Sequence, residues 1–263
     1  MTSLEENAPG RWIAVLRGSH ERLRGLAEPL TAAQLGERSY ASEWPIAQVL
    51  SHLGSGAEIF ALFLDAAIAG TEPPGRDRFV AIWDGWNAKS PVDQAADALV
   101  SDGRLVERLE SLDAGQLADL RVPLLGADRD VVGVVRMRLN EHAIHTWDVA
   151  VALDPTATVA PDAVELLIDG LDQTVAFAGK PTGLYARVLV HTTNPARDLV
   201  LTVGDSVAVA PWDGGDDPTG ELTLPAEALL RLVTGRLDPA HTPAELTATK
   251  VDLDDLRKIF PGY

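Results

Sequence analysis

The chain has 263 residues, 46% of them hydrophobic and 23% charged, which is enough apolar material for one large folded domain or two ordinary ones. Its formal charge of -17 argues against nucleic acid, whose phosphate backbone needs clustered Lys and Arg, and disfavours anionic membrane surfaces. The absence of cysteine excludes disulfides and thiolate ligands; no apolar run approaches the roughly 20 residues of a bilayer span and the first residues lack a signal-peptide pattern, so a cytoplasmic location is expected.

Large apolar residues recur with a helical period at Trp12, Leu16, Leu23, Leu26 and Leu30, and Pro29 marks the expected end of this first helix. A second helix is expected to start at Ser42-Glu43-Trp44-Pro45. It carries Ile46, Val49, Leu50, Leu53, Ala57, Phe60 and Leu64 along one stripe and stops at Gly70 and Pro73-Pro74-Gly75. Residues 79–113 read as helical with a restart at Ser90-Pro91, a capping serine followed by a first-turn proline. The segment Val131 to Leu153 is rich in valines that would also suit strands, so its helical reading rests on the later residues up to Asp154-Pro155. One more helix is expected from Pro161 to Phe177.

The character changes after Gly179-Lys180-Pro181-Thr182-Gly183. Residues 184–191, 199–203, 207–210 and 221–224 are short β-type runs separated by turns, followed by helices at 225–234 and 253–259. The expected organisation is a helical bundle over 1–180 and a small α+β domain over 181–263.

The chemistry concentrates in Arg138-Leu139-Asn140-Glu141-His142-Ala143-Ile144-His145-Thr146-Trp147-Asp148 and in a histidine far upstream, His52. Glu141 and His145 are four apart, so on a helix they share one face about 6 Å from each other and could bind one metal ion. With His52 they would form a two-His, one-carboxylate site that leaves coordination positions open. The bland readings are a core histidine at 52 and a solvated i, i+4 contact for the pair. His142 is a second-choice ligand, and Asp148 could fix the His145 tautomer. Arg138 lies on the same stripe, where a salt bridge is the simplest role, while Arg76 and Arg78 in the loop after the second helix could meet an anionic substrate. Gly235-Arg236 reads as a helix C-cap with a helix-dipole cation, and Arg236 is the one candidate ligand contact in the C-terminal region. There is no Gly-x-Ser-x-Gly elbow, Walker loop, Gly-x-Gly-x-x-Gly or His-Glu-x-x-His.

Three stretches, 42–53 (SEWPIAQVLSHL), 141–148 (EHAIHTWD) and 229–236 (LLRLVTGR), resemble the mycothiol-dependent maleylpyruvate isomerase family. The resemblance implies a DinB-like metal-binding four-helix bundle followed by a small α+β, SCP2-like domain. It matches His52, Glu141 and His145 to the family's ligands and implies a divalent metal, usually zinc, with mycothiol as co-substrate and an actinobacterial source. The implied chemistry is activation of the thiol as a metal-bound thiolate for addition to a small-molecule electrophile. Maleylpyruvate isomerase-like cis-trans isomerisation, with Arg138, Arg76 or Arg78 as anion contacts, is the leading expectation. A mycothiol S-transferase and a non-catalytic metal- or ligand-binding module are the alternatives. Open coordination positions favour an enzyme, since structural zinc is normally enclosed by four protein ligands.

Overall fold

The computed structural model describes residues 8–262 except Ser42, Leu125 and Asp216. The serine expected to begin the second helix thus lies outside the described residues. The chain divides into two compact units, 1–157 and 158–263.

Four long helices make up the body of the first unit: α1 (Pro9–Ala27), α3 (Ile46–Ala69), α5 (Pro91–Glu110) and α7 (Val131–Leu153), with the short α2 (Ala32–Leu35), α4 (Arg76–Asn87) and α6 (Ala114–Asp119) between them. Helix α3 packs on α5 and α7, and α1 packs on the same two, which closes a four-helix bundle. Pro45 occupies the N-cap of α3 in an extended conformation, and Gly70 ends the helix with φ of 63°, a left-handed turn that glycine adopts without steric cost. Ser90 caps α5 by accepting the Asp93 amide, as the Ser-Pro pair predicts.

Leu50 and Leu53 of α3 and Leu16 and Leu23 of α1 are completely buried, and burying each contributes about 1.5–3 kcal/mol. Against the expectation from the sequence, α3 is long and apolar enough, by length and composition, to cross a bilayer. The core helix of a bundle meets the same description, and the buried stripe of α3 faces its helical neighbours. The valines at the start of α7 are helical rather than extended, beginning at Asp130, whose carboxylate accepts the Gly133 amide at 2.7 Å. A small hairpin, β1 (Val122–Leu124) and β2 (Ala127–Arg129), precedes α7. Three-residue strands are too short to show a period of two, so the sequence gives no sign of them.

In the second unit, α8 (Pro161–Leu167), a 3-10 turn at Ile168–Gly170 and α9 (Leu171–Ala178) replace the single helix expected from Pro161. They precede the strands β3 (Ala186–Thr193), β4 (Arg197–Val203), β5 (Val207–Pro211), β6 (Gly220–Pro225) and β7 (Thr247–Thr249). The sheet order is β5-β4-β3-β6-β7, with β3 antiparallel to β4 and parallel to β6. Val188 and Val190 on the central strand stand beside Leu201 and Leu199 and beside Leu222, forming the apolar face. Helices α10 (Ala226–Val233) and α11 (Leu253–Ile259) complete the unit. Helix α9 packs on β5 and on α10, and α8 packs on α10. These contacts group residues 161–178 with the sheet, whereas the change of composition near 181 suggests they go with the bundle.

Candidate metal centre

Helix periodicity sets the first part of the site. Arg138, Glu141, His145 and Asp148 are spaced three, four and three residues apart on α7, so their side chains rise along one stripe. His52 comes from α3, which packs beside α7. The structure brings His52, Glu141 and His145 together with one ligand atom of each within 4.8 Å of the others. Nε2 of His52 lies 3.2 Å from Glu141 Oε2, and Nε2 of His145 lies 3.7 Å from the same oxygen. The side chains of His52 and Glu141 are about one-third exposed (36% and 34%), so this edge of the cluster opens outward while His145 is buried.

Asp148, fully buried, lies 2.8 Å from Nδ1 of His145. A carboxylate can only accept, so Nδ1 carries the hydrogen and the Nε2 lone pair is left for the cluster. The indole of Trp44 forms an aromatic wall, 5.2 Å from the His52 ring and stacked 6.2 Å from that of His145. Burial pushes the Glu141 carboxyl up, but the hydrogen bond from His52 and the charges of His145, His52 and Arg138 outweigh it and bring the group down to about 2. Burial likewise pushes His145 below the ordinary imidazole value, more strongly than Asp148 pulls it back. An ionised carboxylate and a neutral imidazole are the protonation states a metal ion requires of its ligands. The two-nitrogen, one-oxygen donor set suits a borderline divalent cation, and the three residues could hold one with coordination positions to spare.

The arginines are distributed differently from the expectation. Arg138 is only 2% exposed, and its Nη2 donates to Asp102 Oδ1 at 2.7 Å and to the Leu53 carbonyl at 2.8 Å rather than to Glu141. Arg76 and Arg78 are exposed on the first turn of α4. Trp86 of the same helix lies against Gly54, so the two arginines, ten and eight residues earlier, sit about 12–15 Å further along α4 and away from the cluster. Arg236 belongs to the second unit, where Gly235 (φ 74°) and the bonds Gly235 N to Leu232 O and Arg236 N to Arg231 O form a Schellman cap. Its Nη1 donates to the Thr234 carbonyl at 2.7 Å.

His142 is turned away from the cluster into the bundle. Its Nε2 lies 2.9 Å from Asp102 Oδ2, and its Nδ1 accepts from Ser19 Oγ at 2.8 Å. His20 of α1 donates to the same Asp102 oxygen at 2.7 Å. Burial pushes the Asp102 carboxyl up, but His142, Arg138 and His20 overcome this and hold it well below the usual carboxylate range. Asp102, His20 and Ser19 were not among the residues singled out from the sequence. The signal was present: Asp102 falls on the apolar stripe of α5 between Ala98 and Leu105, and a buried acid must have partners.

Residues 16–150 match the sequence family described as the mycothiol maleylpyruvate isomerase N-terminal domain. No curated protein matches the chain. Among solved structures, a mycothiol-dependent maleylpyruvate isomerase and its H52A mutant are similar to it in fold, each at 15% identity and a TM-score of 0.69, over 96% of this chain and 97% of theirs. The helical unit, the His, Glu, His cluster within it and a family match spanning just over half of the sequence lead to one conclusion: the chain belongs to the mycothiol-dependent maleylpyruvate isomerase family.

Proposed function

We propose that this protein is a metal-dependent enzyme that uses mycothiol as a thiol co-substrate and acts on an electrophilic small molecule, with cis-trans isomerisation of a maleylpyruvate-like substrate as the reaction. The observation that carries the proposal is the convergence of His52, Glu141 and His145 to within 4.8 Å, open on one side, in a chain of this family. These three side chains would hold the divalent cation, zinc in this reading. A bound cation supplies Lewis acidity, which lowers the pKa of a thiol brought beside it.

The chain's own groups set the conditions for that chemistry. Asp148 keeps the His145 hydrogen on Nδ1 and so presents Nε2 as a lone pair. Glu141 stays ionised at neutral pH, and Trp44 shields one side of the imidazoles from water. Arg138 is committed to Asp102 and the Leu53 carbonyl, so its part is to help keep Glu141 ionised; in this reading a thiolate adds to an activated double bond of the substrate to give an enolate. Rotation about the new single bond and departure of the same thiol completes the isomerisation with no thiol consumed. Retention of the carbon–sulfur bond, with the enolate taking up a proton at carbon, gives the S-transferase reaction instead. In this reading the second unit is the family's SCP2-like domain and Arg236 is its candidate mycothiol contact.

Anaerobic titration of cobalt-substituted protein with mycothiol is the test, with free thiol assayed during turnover. A saturable thiolate-to-cobalt charge-transfer band with thiol conserved supports the isomerase. Consumption of thiol moves the reading to the S-transferase. Cobalt binding without a band overturns thiol activation and leaves a non-catalytic metal- or ligand-binding module.

A further inference from the structure

We propose that Asp102 and Arg138 are positioning residues that set the offset between α3 and α7, and with it the meeting of His52 with Glu141 and His145; the inference rests on the metal reading given above. Two of the three candidate ligands share a helix, so their separation follows from helix geometry alone. His52 stands alone on α3, and the fit of the set therefore depends on how that helix is held against α7.

The tie between the two helices lies beside the site. Arg138 is one turn before Glu141, and its Nη2 donates at 2.8 Å to the carbonyl of Leu53, the residue after His52. Asp102 on α5 holds the same nitrogen at 2.7 Å. The next carbonyl of α3, that of Gly54, accepts from Ser101 of α5 at 2.9 Å. Adjacent carbonyls of α3 are thus fixed from α7 and from α5. The second oxygen of Asp102 takes His20 of α1 and His142 of α7, so one carboxylate links α5 to α1 and α7, and through Arg138 to α3.

Gly56 completes the arrangement. A Cβ there would lie 3.1 Å from Arg138 Nη1, so the guanidinium rests directly against the bare helix backbone. The Arg138 Nε is buried without a hydrogen-bond partner among the described residues. A buried pair with one donor left unsatisfied is a poor choice for stability alone, since apolar side chains of similar size often do as well or better. Placement of the guanidinium against α3 gives the pair a role that stability alone does not.

The experiment compares the whole chain with the double variant Asp102→Asn/Arg138→Met, which removes both charges together and avoids leaving either one buried alone. Zinc affinity is measured by chelator competition, the cobalt ligand-field spectrum at saturation, and stability by denaturation of the metal-free protein. The expected result is a folded double variant with zinc binding weakened about 10- to 100-fold and a shifted cobalt spectrum. Arg138→Lys is expected to recover part of that loss. Gly56→Ala, whose Cβ would crowd Arg138 Nη1 at 3.1 Å and shift it by a few tenths of an ångström, is expected to shift the cobalt spectrum and weaken zinc binding by a smaller factor than the double variant, and it tests the inference even where the double variant fails to fold. Leu105→Ala, a core truncation on α5, serves as the control: it lowers stability and leaves zinc affinity unchanged. Wild-type zinc affinity and an unchanged cobalt spectrum in the double variant or in Gly56→Ala overturn the positioning role alone. Failure of the unaltered protein to bind zinc overturns the metal reading and this inference with it.

Discussion

Replacing Gly54 by alanine separates two physical effects by the sign of the result. On helix propensity alone, Gly→Ala in the middle of α3 stabilises by about 1 kcal/mol. The packing opposes it: the new methyl would stand 2.3 Å and 2.5 Å from the Trp86 ring and 2.8 Å from the Ala98 Cα. Ordinary contact begins near 3.4 Å, so the ring edge must retreat by about 1.1 Å. Trp86 is poorly placed to do so, being 4% exposed with its indole N–H on Glu58 at 3.0 Å and Lys89 over its ring. The Ala98 contact is to backbone, which requires α5 itself to move. Overpacking of this kind costs about 1–3 kcal/mol, and a backbone clash belongs at the upper end, so the net expectation is about 2 kcal/mol of destabilisation. Chemical denaturation of metal-free Gly54→Ala and parent, followed by tryptophan fluorescence and far-UV circular dichroism, measures it. A variant as stable as the parent, or more stable, would refute the close approach of α3 to α5 and Trp86.

His52→Ala is expected to abolish metal loading and thiol-dependent turnover, checked by elemental analysis and rate assays; full activity would remove His52 from the site. The stability of the metal-free protein should fall with acid in two windows. Burial lowers the folded-state value of His142 below the unfolded value of 6.5, so below that pH the unfolded chain binds a proton that the native state refuses, and stability declines. Asp102, held low in the folded state, contributes stability that is present above 3.8 and is lost as the pH falls below it. Each group gives a slope of at most about 1.4 kcal/mol per pH unit, and stability that is flat between pH 7 and 5 in denaturant titrations would contradict the buried neutral His142. Gly235→Ala places a Cβ 2.3 Å from the Gly262 amide nitrogen at a φ of 74°. The left-handed backbone alone costs about 1–2 kcal/mol, so hydrogen exchange in α10 and α11 should accelerate in that variant, and unchanged protection would exclude this packing.

Features that depend on neighbours along the chain were legible in the sequence. Ser90-Pro91 starts a helix because the hydroxyl accepts an amide three residues on, and Gly70 stops one because it alone enters the left-handed region without strain. The Glu141, His145 and Asp148 row follows from helical periodicity once residues 131–153 are helical. The short strands β1, β2 and β7 escaped, as did the turn at Ile168–Gly170, because segments of three residues carry no periodic signal. The division at 157 rather than near 181 reflects packing of α8 and α9 on their neighbours in the second unit, which composition does not encode. Only the tertiary structure brings His52 to Glu141 across 89 positions of chain and puts Asp102 in the centre of the bundle. It also turns His142 inward, leaves Arg76 and Arg78 apart from the cluster and commits Arg138 to Asp102 and the Leu53 carbonyl. Local spacing decides which residues share a face of one helix; which faces meet is decided by packing among helices distant in sequence, and the second half of this site depends on that.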